Sequence, residues 1–171
     1  MAQHLILPGS LTAAYTATQY TNGLTPRLGD TYFDQKNNKS YIFLMNDTSS
    51  AIAAKLAVRA LATDLSDFHA RVASTTIADN ELLFAGVRVS GATSLAQNEY
   101  GWFQVKGSVT MTASSDTTTA NLGVCTSNQS AGQVEAAADS AAGIRGTFGI
   151  AETTTASGDV VVKLTYNCWG V

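Results

Sequence analysis

The 171-residue chain is 45% hydrophobic but only 13% charged, with a formal net charge of -3, 14 glycines and 2 prolines. Apolar content typical of a soluble domain, with about half the usual quarter of charged residues, leaves a surface of Thr, Ser, Asn and Ala and excludes a disordered chain. Ten Lys and Arg, spread singly, exclude a phosphate-backbone partner, and the weakly charged stretch Ala51 to Leu65 is broken by Lys55, Arg59 and Asp64 and is too short to span a membrane.

Residues 1–30 hold both prolines, Pro8 and Pro26, and the polar run Thr16 to Gly23, with no sustained apolar period. This predicts an extended N-terminal arm, too poor in apolar surface to fold on itself, that orders by lying on another surface. Its contact candidates are Leu5, Ile6, Leu7, Tyr15 and Tyr20. Met1 to Pro8 lacks a basic n-region and a long apolar run, so no secretory signal is expected, and synthesis in a cytoplasm without export follows.

From Thr31 the pattern changes. Thr31 to Asp34 and Ser40 to Asn46 are β-branched and aromatic runs, and Asn37-Asn38 between them tolerates the positive φ of a tight turn, which predicts a β-hairpin. Ala51 to Leu65 fits two periods: Ile52, Leu56, Ala60 and Leu61 at helical spacing, or Leu56, Val58 and Ala60 in alternation. The expectation is a short helical turn over Ser50 to Ala54 followed by a strand. Further strands are expected at Phe68–Ser74, Leu82–Ser90, Gly101–Thr112, Asn121–Thr126, Gly143–Ala151 and Asp159–Tyr166, bounded by Gly, Asn, Asp and Ser clusters. No helix long enough for a parallel crossover intervenes. Residues 31–171 are therefore expected to form an all-β domain, a mostly antiparallel β-barrel or β-sandwich of about eight strands, without internal repeats.

Groups able to carry chemistry are scarce. The histidines are His4 and His69. His69 could draw on Asp64 or Asp67, but no nucleophile turn accompanies them, and Cys125 with His69 has no supporting local signature. Asp64 to His69 lacks the glycine and terminal Glu of a calcium loop. Gly143, Gly146 and Gly149 precede a strand-like run rather than a helix, so they read as close strand packing and not as a phosphate loop. No catalysis, cofactor or metal is expected. Cys125 and Cys168 read either as two buried thiols or as a disulfide within or between chains. Trp102 and Phe103 point to opposite faces of one strand, so one should be core and the other should meet solvent or a partner. Trp169 is expected to pin the chain end against the body or a neighbour.

Several stretches resemble the tailed-bacteriophage capsid decoration, or cement, proteins. They are Leu28-Gly-Asp-Thr31, Asn38-Lys-Ser-Tyr-Ile-Phe-Leu-Met45, Phe84-Ala-Gly-Val-Arg-Val89, Asn98-Glu-Tyr-Gly-Trp-Phe-Gln-Val-Lys-Gly107, Gly143-Ile-Arg-Gly146 through Ala151, and Val160-Val-Val-Lys-Leu164. The Asn-Asn-Lys turn replaces a usual glycine turn, and Arg59 to Asn80 has no counterpart. The resemblance implies a virion structural protein made in the host cytoplasm. Such a protein binds the capsid exterior as a dimer or trimer and bridges neighbouring major capsid protein subunits against internal pressure. The competing expectation is a receptor- or carbohydrate-binding virion module, a head fibre or tail component, which clustered exposed aromatics would favour.

Overall fold

The computed structural model describes residues 10–60, 68–73, 84–114, 118–127, 129–137, 147–155 and 158–165. The chain is all-β, as expected. Among the described residues one short helix, α1 (Ala17–Thr21), precedes ten strands: β1 (Thr31–Asp34), β2 (Lys39–Asn46), β3 (Ala57–Ala60), β4 (His69–Val72), β5 (Phe84–Arg88), β6 (Tyr100–Ala113), β7 (Gly123–Thr126), β8 (Val134–Ala136), β9 (Gly149–Ala151) and β10 (Gly158–Leu164).

The pairings close two small barrels on one shared strand. β2, β6, β5, β3 and β4 pair in succession, all antiparallel, and β4 returns to β2 in parallel through Met45↔His69 and Asn46↔Ala70. β6, β10, β9, β7 and β8 do the same, and β8 returns to β6 in parallel at Ala113↔Val134. Closure removes the exposed edges that an open sheet would leave for aggregation. Among the described residues β1 stands outside the rings, paired with β2 on one side.

The alternation of side chains fills each ring. Ring one encloses Ile42, Leu44, Val58, Ala60, Ala70, Phe103 and Val105, with Ile52 and Leu95 added from loops. Ring two encloses Val109, Met111, Ala113, Val124, Val134, Ala151, Val160, Val162 and Leu164. Phe103, Val105, Val109, Met111 and Ala113 all belong to β6, so one strand supplies both interiors. Between the two sets, Gly107 holds φ +86, and a Cβ there would sit 2.7 Å from the Asn38 carbonyl oxygen. A register shift in the β3–β5 pair skips Ala85, sending Ala85 into ring one while Phe84 and Val87 join the ring-two core. There Phe84 stacks on Phe148 with centroids 4.0 Å apart, which joins the rings side by side.

The hairpin turn forms as expected, with Asn38 at φ 51. Asp34 organises it: its carboxylate accepts the Lys36 and Asn37 backbone N–H groups and, at 2.6 Å, the Asn37 side-chain amide. Two expectations fail. Ser50 to Ala54 is not helical: Ile52 forms a β-bridge with Leu95, at 2.9 Å in both directions, because this buries its side chain completely in ring one. Residues 10–30 are not an extended arm either. They hold α1 and lie on the protein's own outer face of β2 and β6, where apolar surface is available to cover.

Candidate functional site

The outer face of ring one is aromatic because its strands alternate. With Ile42 and Leu44 inside, Tyr41, Phe43 and Met45 point out, and with Phe103 inside, Tyr100 and Trp102 point out. Phe43 meets Trp102 edge-on at 5.3 Å, Tyr32 meets Trp102 at 6.4 Å, and Tyr32 lies over Tyr41 at 6.1 Å. The N-terminal segment covers this face. Tyr15 exchanges backbone hydrogen bonds with Tyr100, both 2.9 Å, and sets its ring edge-on to Phe43 at 5.8 Å. Tyr20 stacks on Tyr100 at 4.3 Å with the planes 6° apart. α1 aims Tyr20 there, and its start is a reciprocal cap. The Gln19 N–H donates to Thr16 Oγ1 and the Thr16 N–H donates to Gln19 Oε1.

This cover corrects the expectation for Trp102. Trp102 and Phe103 do occupy opposite faces, but both have no exposure, so neither meets solvent. Tyr15 and Tyr20 are half-buried against their own chain. Leu5, Ile6, Leu7, Cys168 and Trp169 lie outside the described residues.

Arg88 holds the assembly and was not singled out from sequence; the available signal was one Arg inside the apolar run Phe84 to Val89. Its guanidinium is buried. Nη1 donates to the Trp102 carbonyl at 3.0 Å, and Nη2 to the carbonyls of Ala13 at 2.8 Å, Thr93 at 3.0 Å and Thr12 at 3.2 Å. Burial lowers its pKa to about 10, partly opposed by Glu99 and Tyr15, so it remains charged at neutral pH. Carbonyl dipoles stand in for a carboxylate partner. Gly101 makes room, since a Cβ there would lie 2.6 Å from Nη1.

Beside this cover lies a groove of about 490 Å³ where the rings meet, walled by Leu11, Thr12, Tyr41, Gln104, Ser108 and Thr110. Among the described residues the exposed large apolar side chains are Leu24, Phe33, Leu122 and Ile150. Phe33 lies on β1 with Lys106 Nζ 6.0 Å from its ring centre. Leu122, just before β7, and Ile150, on β9, both belong to ring two, where the Ala151 N–H donates to the Leu122 carbonyl and Gly123 pairs with Ile150.

Among the described residues, the candidate reactive groups His69 and Cys125 stand in different rings. His69 is on β4 of ring one, with Nδ1 3.9 Å from Asp47, whose carboxylate is held by Arg71 at 2.6 Å. Cys125 is buried on β7 of ring two. His4, Asp64, Asp67, Gly143 and Gly146 lie outside the described residues. Gly149, the last of that glycine series, fits the packing reading: a Cβ would meet Val162 at 2.6 Å.

No protein-family model matches the chain, and no curated protein matches it. Among solved structures it is similar to the N base of the head fiber gp8.5 of bacteriophage phi29. Identity is 10% and TM-score 0.47, over 73% of this chain and 94% of that one. A likeness at that level assigns neither a fold family nor a role.

Proposed function

We propose that this chain is a virion structural protein of the capsid decoration kind, which binds the outer surface of a tailed-phage capsid and bridges neighbouring major capsid protein subunits. The observation that carries the reading is where the resembling residues fall. Tyr41 to Met45 lie in β2, Phe84 to Arg88 in β5, Tyr100 to Gly107 in β6 and Val160 to Leu164 in β10. The glycines of these motifs have geometric reasons. Gly29, at φ +80, packs against the Phe68 ring; Gly101 admits Arg88; Gly107 turns at the junction of the rings. The resemblance therefore rests on residues that build this architecture rather than on composition.

In this reading Leu5, Ile6 and Leu7, upstream of the docked segment, and Trp169 supply contacts to the shell, together with the exposed Phe33, Leu122 and Ile150. Each contact is small. Many copies on a symmetric lattice multiply modest affinities, and binding that favours the expanded shell stabilises it by mass action. No catalytic step or cofactor is required.

Exposed Phe33 and the hydroxyl-bearing groove favour a second reading, a receptor- or carbohydrate-binding head fibre or tail module. Cryo-microscopy of particles mixed with the purified full-length protein separates the two. Density on the outer shell spanning adjacent capsid subunits, lost on replacing Leu5, Ile6 and Leu7 by Ser, is the expected result. Folded protein that decorates no shell would overturn the proposal, and density confined to a fibre or tail would favour the second reading.

A further inference from the structure

The outward positions of the strand common to both rings run on past the aromatic face. Trp102 is followed on that side by Gln104 and, beyond Gly107, by Ser108 and Thr110, while the positions between them fill the ring interiors. Gln104, Ser108 and Thr110 line the groove of about 490 Å³, with Leu11, Val89 and Val161 as aliphatic walls. Tyr41 and Gln104 are register partners on β2 and β6, which sets their Cβ atoms about 5 Å apart on one side of the sheet. They are the most buried polar side chains of the groove, at 5% and 2% exposure. Gln104 Nε2 donates both its protons, to the Lys106 carbonyl at 3.1 Å and the Ser108 carbonyl at 3.0 Å, so the amide is fixed with Oε1 as its remaining group. Among the described residues neither Gln104 Oε1 nor the Tyr41 hydroxyl has a hydrogen-bond partner, and the Ser108 and Thr110 hydroxyls have none. Buried polar groups in folded proteins are as a rule paired, so Tyr41 and Gln104 take their partner from the groove.

We propose that this groove binds a neutral saccharide, with Tyr41 and Gln104 holding one sugar hydroxyl between them and Ser108 and Thr110 meeting the next ring. The inference rests on the carbohydrate-binding reading above and names its site. A hydroxyl both donates and accepts, so one group of the ligand accepts from the Tyr41 O–H and donates to Gln104 Oε1. Burial raises the pKa of the Tyr41 phenol, which keeps it a donor at neutral pH. A carboxylate or phosphate has acceptors alone and would meet the Gln104 oxygen with like sign. A trans peptide group directs its N–H and C=O in opposite directions and cannot serve both side chains at once. The C–H face of a pyranose lies on Leu11, Val89 and Val161, out of water. Lys39 is the one charged residue of the lining, and the volume falls within the range of about 300–1,000 Å³ of small-molecule sites. None of these residues is among the shell contacts named above, so saccharide and capsid can be held together.

The test titrates the isotope-labelled full-length chain with neutral tetrasaccharides of glucose, galactose or N-acetylglucosamine, followed by nuclear magnetic resonance. At least one should shift the Gln104 side-chain amide and the Ser108 and Thr110 backbone resonances in a saturable way. Tyr41→Phe, which deletes the hydroxyl and keeps the ring, should weaken that binding about tenfold, and Thr110→Val about threefold. Leu24→Ser, outside the groove, should leave it unchanged. Saccharide binding that shifts other resonances and ignores both groove variants would overturn the site while leaving the carbohydrate-binding reading intact. Failure of every tetrasaccharide to shift any resonance would remove that reading and the site with it. Groove shifts produced by a synthetic peptide of residues 1–9, and by no saccharide, would overturn the proposal in favour of a peptide occupant. Thr110→Val, at a half-buried position, keeps the test decisive if Tyr41→Phe does not fold.

Discussion

The Arg88 guanidinium donates to the Ala13 carbonyl oxygen at 2.8 Å, joining positions 75 residues apart in sequence. The same group donates to Trp102 on the strand common to both rings. One buried cation thus couples the N-terminal segment, the loop at Thr93 and β6.

Arg88→Met should destabilise the fold by about 3 kcal/mol, because it leaves buried carbonyl oxygens without their donor. Arg88→Lys should recover part of this, since one ammonium cannot serve four carbonyls in divergent directions. Gly101→Ala, which crowds Nη1, should fall in the same direction. Urea denaturation of the variants checks the order.

The shared strand makes the two rings one folding unit. Phe103→Ala in ring one and Met111→Ala in ring two should each cost about 3 kcal/mol and lower a single common midpoint, not two separate ones. Gly107→Ala should cost about 2 kcal/mol or more, through the strained φ and the collision with the Asn38 carbonyl. Thermal melts followed by near-ultraviolet and far-ultraviolet dichroism report whether the transitions coincide.

Thr16→Ala removes one half of the reciprocal cap of α1. It should weaken the helix by about 1 kcal/mol without moving the global midpoint, since α1 buries no side chain completely. Hydrogen exchange should accelerate at Gln19 and Tyr20 and stay unchanged in β6.

Asp34 is held below the ordinary carboxylate range, first by the Asn37 side-chain amide and then by the Asn37 and Lys36 backbone donors. The folded state therefore favours the carboxylate. Its contribution is present above about pH 4 and is lost as pH falls through the lower folded value. Asp34→Asn should flatten the acid limb of a stability-against-pH curve, measured by urea midpoints, in that window alone.

At the alkaline end Tyr15, Tyr41 and Tyr100 are raised above 10.0, chiefly by burial. The folded chain keeps those protons while the unfolded chain releases them, so stability declines as pH rises above about 10. Arg88 has the opposite sign, because burial lowers its folded value to about 10, below the ordinary guanidinium value. Phenolate formation isolates the tyrosine contribution from that of Arg88. Absorbance at 295 nm should show phenolate formation in the native protein lagging behind that in urea.

Local signals located most strands in the sequence. β-branched and aromatic runs mark β2, β6 and β10, and Asn38 supplies the positive φ of the first turn, because both depend on a few adjacent residues. α1 was not read from the sequence: Thr16 and Gln19 have the spacing of a cap, but the polar run Thr16 to Gly23 reads as arm. β8 was not legible: three residues cannot display a period. The sequence by itself determined an all-β chain with little reactive chemistry. Tertiary structure alone decided that the strands close into two rings, since the parallel closures at Met45↔His69 and Ala113↔Val134 join distant segments through one or two residue pairs that leave no local trace. It also decided the place of residues 10–30. The apolar outer face that draws them exists solely after β2 has paired with β6, and it is burial of Phe43, Tyr100 and Trp102 that turns a polar stretch into a cover.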